Sequence, residues 1–329
     1  MTAFTRRKVH IAAIAAAALM VNLAPAAAQE YPTKPVRIVV PFGAGGPTDV
    51  TARLVAQQLS QRLGQQFVVE NVPGAGGNIG TSQVGRAKPD GYTLLVASTG
   101  HMVNPSLYAN ALYDPVKDFT PLTLVAASPN VLVVHPSVPA KTVKELVEEM
   151  KKNPKKYTFA HPATGSTPHL SGELFKLHFG LKDYTVIPYH SAAQAIASTV
   201  ANQTPTAWTA LPPAVAAAKA GQLRPIAVTS PKRVAVLPDV PTMAEAGVEG
   251  QEAETLTGMF APAGTPKPII DKLYKAIAEG LKDKEFVAKL EAMGFVPVGN
   301  TPEEWGKRVN VEIEKWGKVI KDANIPQIK

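Results

Sequence analysis

Two serine–histidine pairs have the residue types that nucleophilic catalysis uses. Ser98 precedes His101 by three positions, and Ser166 precedes His169 by the same interval. A hydrolase would add an orienting carboxylate and present its serine on a Gly-x-Ser-x-Gly turn. The sequence contains no such turn, and the segment around Ser166 has no evident carboxylate partner. The spacing favours packing or ligand contact, so we expect no enzyme activity, with an exported hydrolase kept as an alternative.

Glycine-rich segments offer a different chemistry, the binding of an anion by backbone N–H groups. PFGAGGPTD (41–49) follows the hydrophobic run VRIVV, and NVPGAGGNIG (71–80) also lies between a predicted strand and a predicted helix. Small residues let backbone N–H groups point at a ligand, and the helix that follows adds partial positive charge. We therefore expect a negatively charged group at these turns.

Neither glycine segment has the spacing of a nucleotide-binding loop. A GxGxxG motif would need glycine where Thr48 and Ile79 stand, and GxxxxGK[ST] is absent. The seven histidines lack metal-ligand spacing, and there is no HExxH motif. We therefore predict no cofactor and no metal.

Two further turns run from a predicted strand to a predicted helix or loop. The first is ASTGH (97–101), and the second is HPATGSTPHL (161–170), which carries the neutral donors Thr164, Ser166 and Thr167. The second turn lies in a later block of the chain than the first. Each block therefore presents an anion-binding turn to the same expected cleft.

The elements that must position these turns alternate between strand and helix. A strand at 36–40 and a helix at 48–63, with Thr48 as its N-cap, begin the first block, and a helix at 142–152 begins the second. Helices at 267–279, 284–293 and 302–323 end the chain. The pattern predicts two doubly wound α/β lobes around a ligand cleft. We assign residues 29–128 and 255–329 to lobe 1 and residues 129–254 to lobe 2.

The start of the chain has the pattern of an export signal. A basic stretch, MTAFTRRKVH, precedes an apolar run of about a dozen residues and the triplet Ala26–Ala28. We predict a signal peptide at 1–28, cleaved after Ala28, without choosing between the general and twin-arginine routes. The formal net charge is +8, the chain has no cysteine, and no nucleic-acid motif is present. We expect a soluble periplasmic monomer with no nucleic-acid partner and no disulfide.

The mature chain resembles the Bug-type (TctC-like) solute receptors of tripartite tricarboxylate transporters. The segments that carry the resemblance are YPTKPVRIVVPFGAGGPTD, NVPGAGGNIG, KPDGYTLLVAS, ATGSTPHL, LRPIAVTSPKRVAVLPDVPTMAEAG and APAGTP. The resemblance implies a periplasmic binding protein of the Venus-flytrap type. Such a protein captures a small organic acid, contacts a membrane permease transiently to deliver it, and catalyses nothing. A receptor that feeds a sensor kinase would bind the same ligands and stays as an alternative.

The resemblance also implies which residues bind the ligand. One carboxylate is expected under the first loop, and a second carboxylate in the second-lobe turn, with the loop at 98–101 bordering the ligand. The implied residues are Phe42, Ala44, Gly45, Gly46, Thr48, Asp49, Ser98, Thr99, His101, Thr164, Gly165, Ser166 and Thr167. The carboxylate of Asp49 would repel an anion, so a helix-capping and bracing role suits it better.

Three positions depart from the family pattern and bear on the ligand. Where members often have Phe-Asp, this chain has Trp208 and Thr209, and His190 stands where a different basic residue is common. Because Thr209 cannot pair with an ammonium group, we hypothesise a dicarboxylate ligand without an amino group, aliphatic or aromatic. Trp208 is either a core residue or an aromatic wall of the site. His190 either faces solvent or reaches the distal carboxylate.

Overall fold

A computed structural model describes residues 30–181, 183–189 and 191–329 of the chain. Residues 34–329 form one compact unit. The predicted signal peptide with its cleavage site, and His190, lie outside the described residues. Within the described part of the chain, every helix is too short or too polar to cross a membrane.

Strands and helices alternate through most of the described chain. The strands are β1 (Val36–Val40), β2 (Phe67–Asn71), β3 (Thr93–Ala97), β4 (Phe119–Val134), β5 (Phe159–Pro162), β6 (Val186–Tyr189), β7 (Thr206–Ala210), β8 (Arg224–Val228), β9 (Glu254–Pro262) and β10 (Val296–Pro297). The α-helices are α1 (Pro47–Leu63), α2 (Asn78–Gly85), α3 (Gly100–Leu107), α4 (Val143–Lys152), α5 (Thr167–Phe179), α6 (Ala192–Val200), α7 (Leu211–Lys219), α8 (Lys267–Gly280), α9 (Lys284–Ala292) and α10 (Pro302–Asp322).

One long strand, β4, joins two halves of a mixed sheet. The strand order is β2-β1-β3-β9-β4-β7-β5-β6, and β8 and β10 also pair with β4. Residues 119–129 of β4 pair with β9, whereas residues 130–134 pair with β7 and β8. We call β1–β3, β9 and β10 with their helices the first half, and β5–β8 with theirs the second half.

The two-lobed α/β class predicted from the sequence is confirmed, but the sheet is mixed. Strands β1–β3 are parallel to one another, as are β5–β7, whereas β9 and β4 run antiparallel to their neighbours. Ser128, Pro129 and Asn130 do not interrupt the strand: β4 runs through all three. Pro129 continues β4 because the residue before a proline favours the extended region that a strand requires.

Two elements had no clear signal in the sequence. Strand β9 follows a polar stretch, and helix α3 begins at Gly100 and contains Pro105. Glycine and proline usually mark the ends of helices, so local propensity argues against α3. Its apolar residues Met102, Val103 and Leu107 are nevertheless buried, which indicates that packing stabilises the helix.

Each half has its own hydrophobic core. In the first half, Trp305 of α10 is fully buried against Phe260 of β9, with ring centroids 5.5 Å apart. In the second half, successive residues of β7 point to opposite faces, so that Trp208 packs on Phe175 of α5 and Ala207 enters the core beneath α6 and α7. The turns at the strand ends are thereby held by rigid layers.

Candidate functional site

The first glycine loop ends in a helix start that has no side-chain cap. Helix α1 has Gly46 as its N-cap and Pro47 at its first position, so the sequence prediction of Thr48 as N-cap was wrong. Thr48 lies buried in the first turn, whereas Gly43, Ala44 and Gly45 are exposed. The first N–H groups of a helix have no intrahelical acceptor, and Gly46 has no side chain to bond them. This end of α1 can therefore donate hydrogen bonds to an anion's oxygens only through its backbone N–H groups.

The carboxylate of Asp49 braces this loop from inside. Its Oδ2 accepts hydrogen bonds from Gly45 N at 2.8 Å and from Arg53 Nε at 3.0 Å, and its Oδ1 accepts one from Asn71 Nδ2 at 2.9 Å. Asn71 also donates to the carbonyl of Phe42 at 3.0 Å. Burial raises the pKa of Asp49, but the bonds from Arg53, Gly45 and Asn71 and the charge of Arg53 outweigh it and hold the pKa below its usual value. Asp49 is therefore ionised and fully engaged by the protein.

Three loops of the first half meet around the half-buried ring of Phe42. A Cβ added at Gly77 would lie 3.2 Å from this ring, and one at Gly100 would lie 3.8 Å from it. Asn104 of α3 holds the second glycine loop by donating to the carbonyl of Gly76 at 3.0 Å. The segments at 41–49, 71–80 and 97–101 thus form one surface. This is expected, because they follow parallel strands whose carboxyl ends meet at the same edge of the sheet.

Two predicted contacts of the loop at 98–101 lie in the interior instead. Thr99 is buried and links β3 to β9, because its hydroxyl donates to Glu254 O at 3.1 Å and accepts from Leu256 N at 2.8 Å. His101 is 2% exposed and stacks on Tyr113 with centroids 5.2 Å apart. Burial lowers the pKa of His101 to about 4, against the effect of its bond to Pro115 O. Only Ser98 of these predicted contacts keeps a partly exposed side chain.

The second-half turn at 163–166 is tightly wound and capped. Ala163 and Gly165 both have positive φ, of 47° and 82°. Ser166 is the N-cap of α5: its hydroxyl accepts from His169 N at 3.4 Å and donates to the carbonyl of Pro162. Gly165 N donates to Nδ1 of His169 at 3.2 Å. The Ser166 hydroxyl proton is therefore committed to the turn itself.

The hydroxyl of Thr167 is likewise committed, in a ring of hydrogen bonds. Thr255 donates to Asn130 Oδ1 at 3.3 Å, so the bond between Thr167 and Thr255 takes its proton from Thr167. Asn130 Nδ2 donates to Ser171 Oγ at 2.8 Å, and Ser171 donates to the carbonyl of Thr167 at 2.8 Å. The ring ties the start of α5 to β4 and β9, where the chain passes between the halves.

Of the three predicted hydroxyl donors, Thr164 is the one whose hydroxyl is not committed to the turn. Its residue is exposed, and no hydrogen bond of its side chain is found among the described residues. It precedes Ser166, the N-cap of α5, by two positions. Thr164 is thus the hydroxyl of this turn that can reach a bound molecule.

Two neutral histidine side chains, His161 and His169, lie against the second-half turn. His161 and His169 are both buried, with ring centroids 4.4 Å apart. Burial lowers the pKa of His161 to about 4, and burial with the neighbouring charges of His161 and Lys176 lowers that of His169 to about 3. Glu173 lies 3.9 Å from His169 Nε2 and pairs with Lys176 at 3.1 Å. Nδ1 of His169 therefore stays an acceptor for Gly165 at neutral pH.

Neither serine–histidine pair has the arrangement of a nucleophile and its base. The Ser166 hydroxyl bonds to Pro162 and the His169 ring to Gly165, while His101 lies within an aromatic cluster. Among the described residues, no group of three histidine, aspartate or glutamate side chains could hold a metal ion. Ser166, His169 and His101 already make contacts that stabilise the fold, so none of them is arranged for catalysis.

The second-half turn contacts the first half directly. A Cβ at Gly165 would overlap Cδ2 of Leu107 in α3. Leu170 of α5 continues this contact in a cluster with Val103 of α3 and Trp316 of α10. The turn at 163–166 therefore packs against α3, the helix that also holds the second glycine loop through Asn104.

Trp208 and Thr209, the remaining predicted contacts, both lie in the interior of the second half. Trp208 is fully buried beside Phe175, so the structure assigns it to the core and excludes the aromatic wall. Thr209 is also fully buried, and its hydroxyl has no partner among the described residues. Strand β7 ends one residue later, and α7 begins without a side-chain cap.

An apolar cavity of about 380 Å³ lies beside the first loop. It is lined by backbone or apolar side chains from both halves, including Gly45, Pro47, Val50, Pro212, Val215 and Phe295. None of these residues has a side chain that can hydrogen-bond. The cavity suits a hydrocarbon portion of a bound molecule.

Sequence reasoning missed the amide and hydroxyl residues that hold the loops in place. Asn71 ends β2 and Asn104 lies within α3, while Asn130 and Thr255 lie in strands from different parts of the chain. A polar residue at a strand end was the available signal for Asn71. The partners of Asn130 are 41 to 125 positions away, so no local pattern could identify them.

Comparisons with known proteins agree on one family. The model of the family described as "Tripartite tricarboxylate transporter family receptor" matches residues 51–325. The periplasmic binding protein BugD is 39% identical, covers 91% of this chain and 100% of its own, and has a TM-score of 0.81. A Rhodopseudomonas palustris protein, MatC, solved with bound malate, is 32% identical, with 88% and 100% coverage and a TM-score of 0.79. R. palustris Rpa4515, solved with adipate, is 38% identical, with 91% and 100% coverage and a TM-score of 0.84.

We predict that replacing His101 makes stability less dependent on pH. The folded state lowers the pKa of His101 from 6.5 to about 4, so the unfolded chain takes up a proton first as the pH falls. The free energy of unfolding should therefore drop between about pH 6.5 and pH 4, and His101 should account for roughly 2–4 kcal/mol of that drop. Denaturant titrations across this range should show a shallower slope for H101F, which keeps the aromatic packing. Identical slopes would contradict this account.

We also predict that Gly165→Ala is more damaging than Gly180→Ala. Both glycines have positive φ, but a methyl group at 180 meets open space whereas one at 165 overlaps the buried Leu107. The G165A variant should lose roughly 1–3 kcal/mol more stability than G180A, because the fully buried side chain of Leu107 must shift within the packed core. Thermal unfolding of the two variants measures the difference. Equal losses would show that the turn does not pack on α3.

Proposed function

Because this chain belongs to the tripartite tricarboxylate transporter receptor family, we propose that it captures a small dicarboxylate between its two halves and delivers it to a membrane permease. The observation that carries the proposal is the start of α1, which is braced by Asp49 and has no side-chain cap on its first N–H groups. Members of the family are receptors, and the occupied serines and histidines of this chain accord with binding alone.

One carboxylate of the ligand would lie at the first loop. The exposed backbone of residues 43 and 44 and the first N–H groups of α1 supply donors, and the dipole of a 17-residue helix adds partial positive charge. Each hydrogen bond to a charged group contributes roughly 1.5–3 kcal/mol. Phe42 would form the apolar edge of this position.

The other carboxylate would lie at the second-half turn. Here Thr164 is the side-chain donor, whereas Ser166, Thr167 and His169 shape the turn. No arginine stands in the turn at 163–167 or in the loop at 41–49. Neutral donors bind a carboxylate less tightly than a guanidinium would, and this permits the release that transport requires.

The ligand we propose is a dicarboxylate with a hydrocarbon body and no amino group. Thr209 is uncharged, and the carboxylate of Asp49 is fully engaged, so neither offers a partner to an ammonium group. The apolar cavity between the first loop and α7 supports a methylene chain or a ring. The related proteins solved with adipate and malate support the dicarboxylate class.

We further propose that the protein acts in the periplasm after removal of residues 1–28. The basic and apolar start of the chain supports export, and BugD is described as a periplasmic binding protein. Delivery to a permease requires the protein to work on the outer side of the inner membrane.

We predict that glutarate stabilises the protein and that glutamate does not. The two molecules have the same carbon chain and carboxylates, and differ by the ammonium group that this site cannot pair. At about 100 times its dissociation constant, a ligand should raise the free energy of unfolding by roughly 2.7 kcal/mol. A thermal-shift series with glutarate, adipate, malate, citrate and benzoate beside glutamate measures this directly. Stabilisation by glutamate alone would contradict the proposed ligand class.

We predict that Thr164→Val weakens binding of the stabilising dicarboxylate about tenfold. Valine keeps the shape of threonine but removes the donor, and the loss of one hydrogen bond to a charged group is of this order. Thr185→Val, at another exposed threonine of the second half, is the matched control. Calorimetric titration should show unchanged affinity for the control. Equal affinity of T164V and wild type would remove Thr164 from the site.

A further inference from the structure

The ion pair between Asp49 and Arg53 joins a buried charge to a half-exposed one. The Asp49 side chain is 3% exposed and that of Arg53 is 52% exposed. Arg53 Nε reaches Oδ2 and Nη2 reaches Oδ1 of the same carboxylate, each at 3.0 Å. The guanidinium also donates to Asn71 Oδ1 at 3.0 Å. One face of Asp49 is thus covered by a positive charge.

Asp49 lies in the first turn of α1, the helix end where we propose that a ligand carboxylate binds. It also takes up the N–H of Gly45, one of the donors of that loop. A carboxylate a few ångströms from a bound anion repels it strongly where solvent screens poorly. Without compensation, the group that braces the loop would oppose its ligand.

Other charged groups nearby do not supply this compensation. Glu70, at the neighbouring strand end, is paired with Arg37. Asn71, the remaining side-chain partner of Asp49, is neutral. Among the described residues, Arg53 is the cation bonded to Asp49.

We infer that Arg53 is a specificity-determining residue that cancels the charge of Asp49 and so allows the first loop to accept one carboxylate of a dianionic ligand. This inference rests on the proposed function. The loop then keeps the geometry that the Asp49 carboxylate imposes without its electrostatic penalty. The benefit grows with the negative charge of the ligand, so Arg53 favours dicarboxylates over monocarboxylates.

The test compares two ligands of equal length and different charge. Adipate is a dianion at neutral pH, and monomethyl adipate is a monoanion. Calorimetric titrations of the full protein use wild type, R53Q, R53K, D49N and the double variant D49N/R53Q. The control R233Q removes a similarly exposed arginine from its pair with the half-exposed Glu245 in the second half. Thermal unfolding of each variant without ligand reports loss of the brace separately.

We expect R53Q to weaken adipate binding roughly 10- to 100-fold and monomethyl adipate binding less, with a smaller loss at high salt. R53K should retain most of the affinity, since it keeps the charge. D49N should unfold at a lower temperature than wild type yet bind adipate at least as tightly. D49N/R53Q should recover affinity relative to R53Q although it has lost more of the brace. R233Q should match wild type.

The outcomes separate this inference from the function on which it rests. Failure of wild type to bind any dicarboxylate would overturn both. Wild-type binding with an equal loss for both ligands in R53Q, or with no recovery in D49N/R53Q, would overturn the inference alone. That second pattern would assign Arg53 a purely structural role.

Discussion

The arrangement of the two halves depends on the hydrogen bonds that the side-chain amide of Asn130 forms with both of them. Asn130 lies fully buried at the point of β4 where pairing changes from β9 to β7 and β8. Its side chain bonds to Thr255 and Ser171, and its backbone bonds to Thr229. A buried amide left without partners is costly, so these elements are held in one relative position. Because the ring also includes Thr167, the start of α5 takes its position from the same residue.

The binding surfaces built on this frame have little net charge of their own. In the first loop, the carboxylate of Asp49 is matched by Arg53, and in the second-half turn the imidazoles of His161 and His169 are neutral. The donors left for a ligand are backbone N–H groups and the hydroxyl of Thr164. In the function that we propose, such a site would hold an anion through many moderate bonds, which suits a receptor that must also release its ligand.

Several site residues were predictable because their signals are local. Glycines between a strand and a helix marked both turns that we propose as ligand sites, and the family resemblance drawn from these segments is confirmed by the family match. The bracing role preferred for Asp49 followed from its place in a first helical turn. Thr99, His101 and Trp208 were not predictable in this way. Their neighbours in sequence border the cleft, but the direction of each side chain depends on distant packing partners such as Phe260 and Phe175.

The sequence by itself determined the alternation of strands and helices, the position of the glycine turns, and the family. It also showed that the glycine turns lack nucleotide-binding motifs. Each of these features depends on residues within about ten positions of one another. Only the tertiary structure decided that β4 is one strand joining the halves and that Thr164 keeps its hydroxyl free while Ser166 and Thr167 do not. It also decided that Arg53 covers Asp49 together with Asn71. These outcomes depend on hydrogen-bond partners that are far apart in the chain, and such partners are chosen when the whole fold satisfies its buried polar groups.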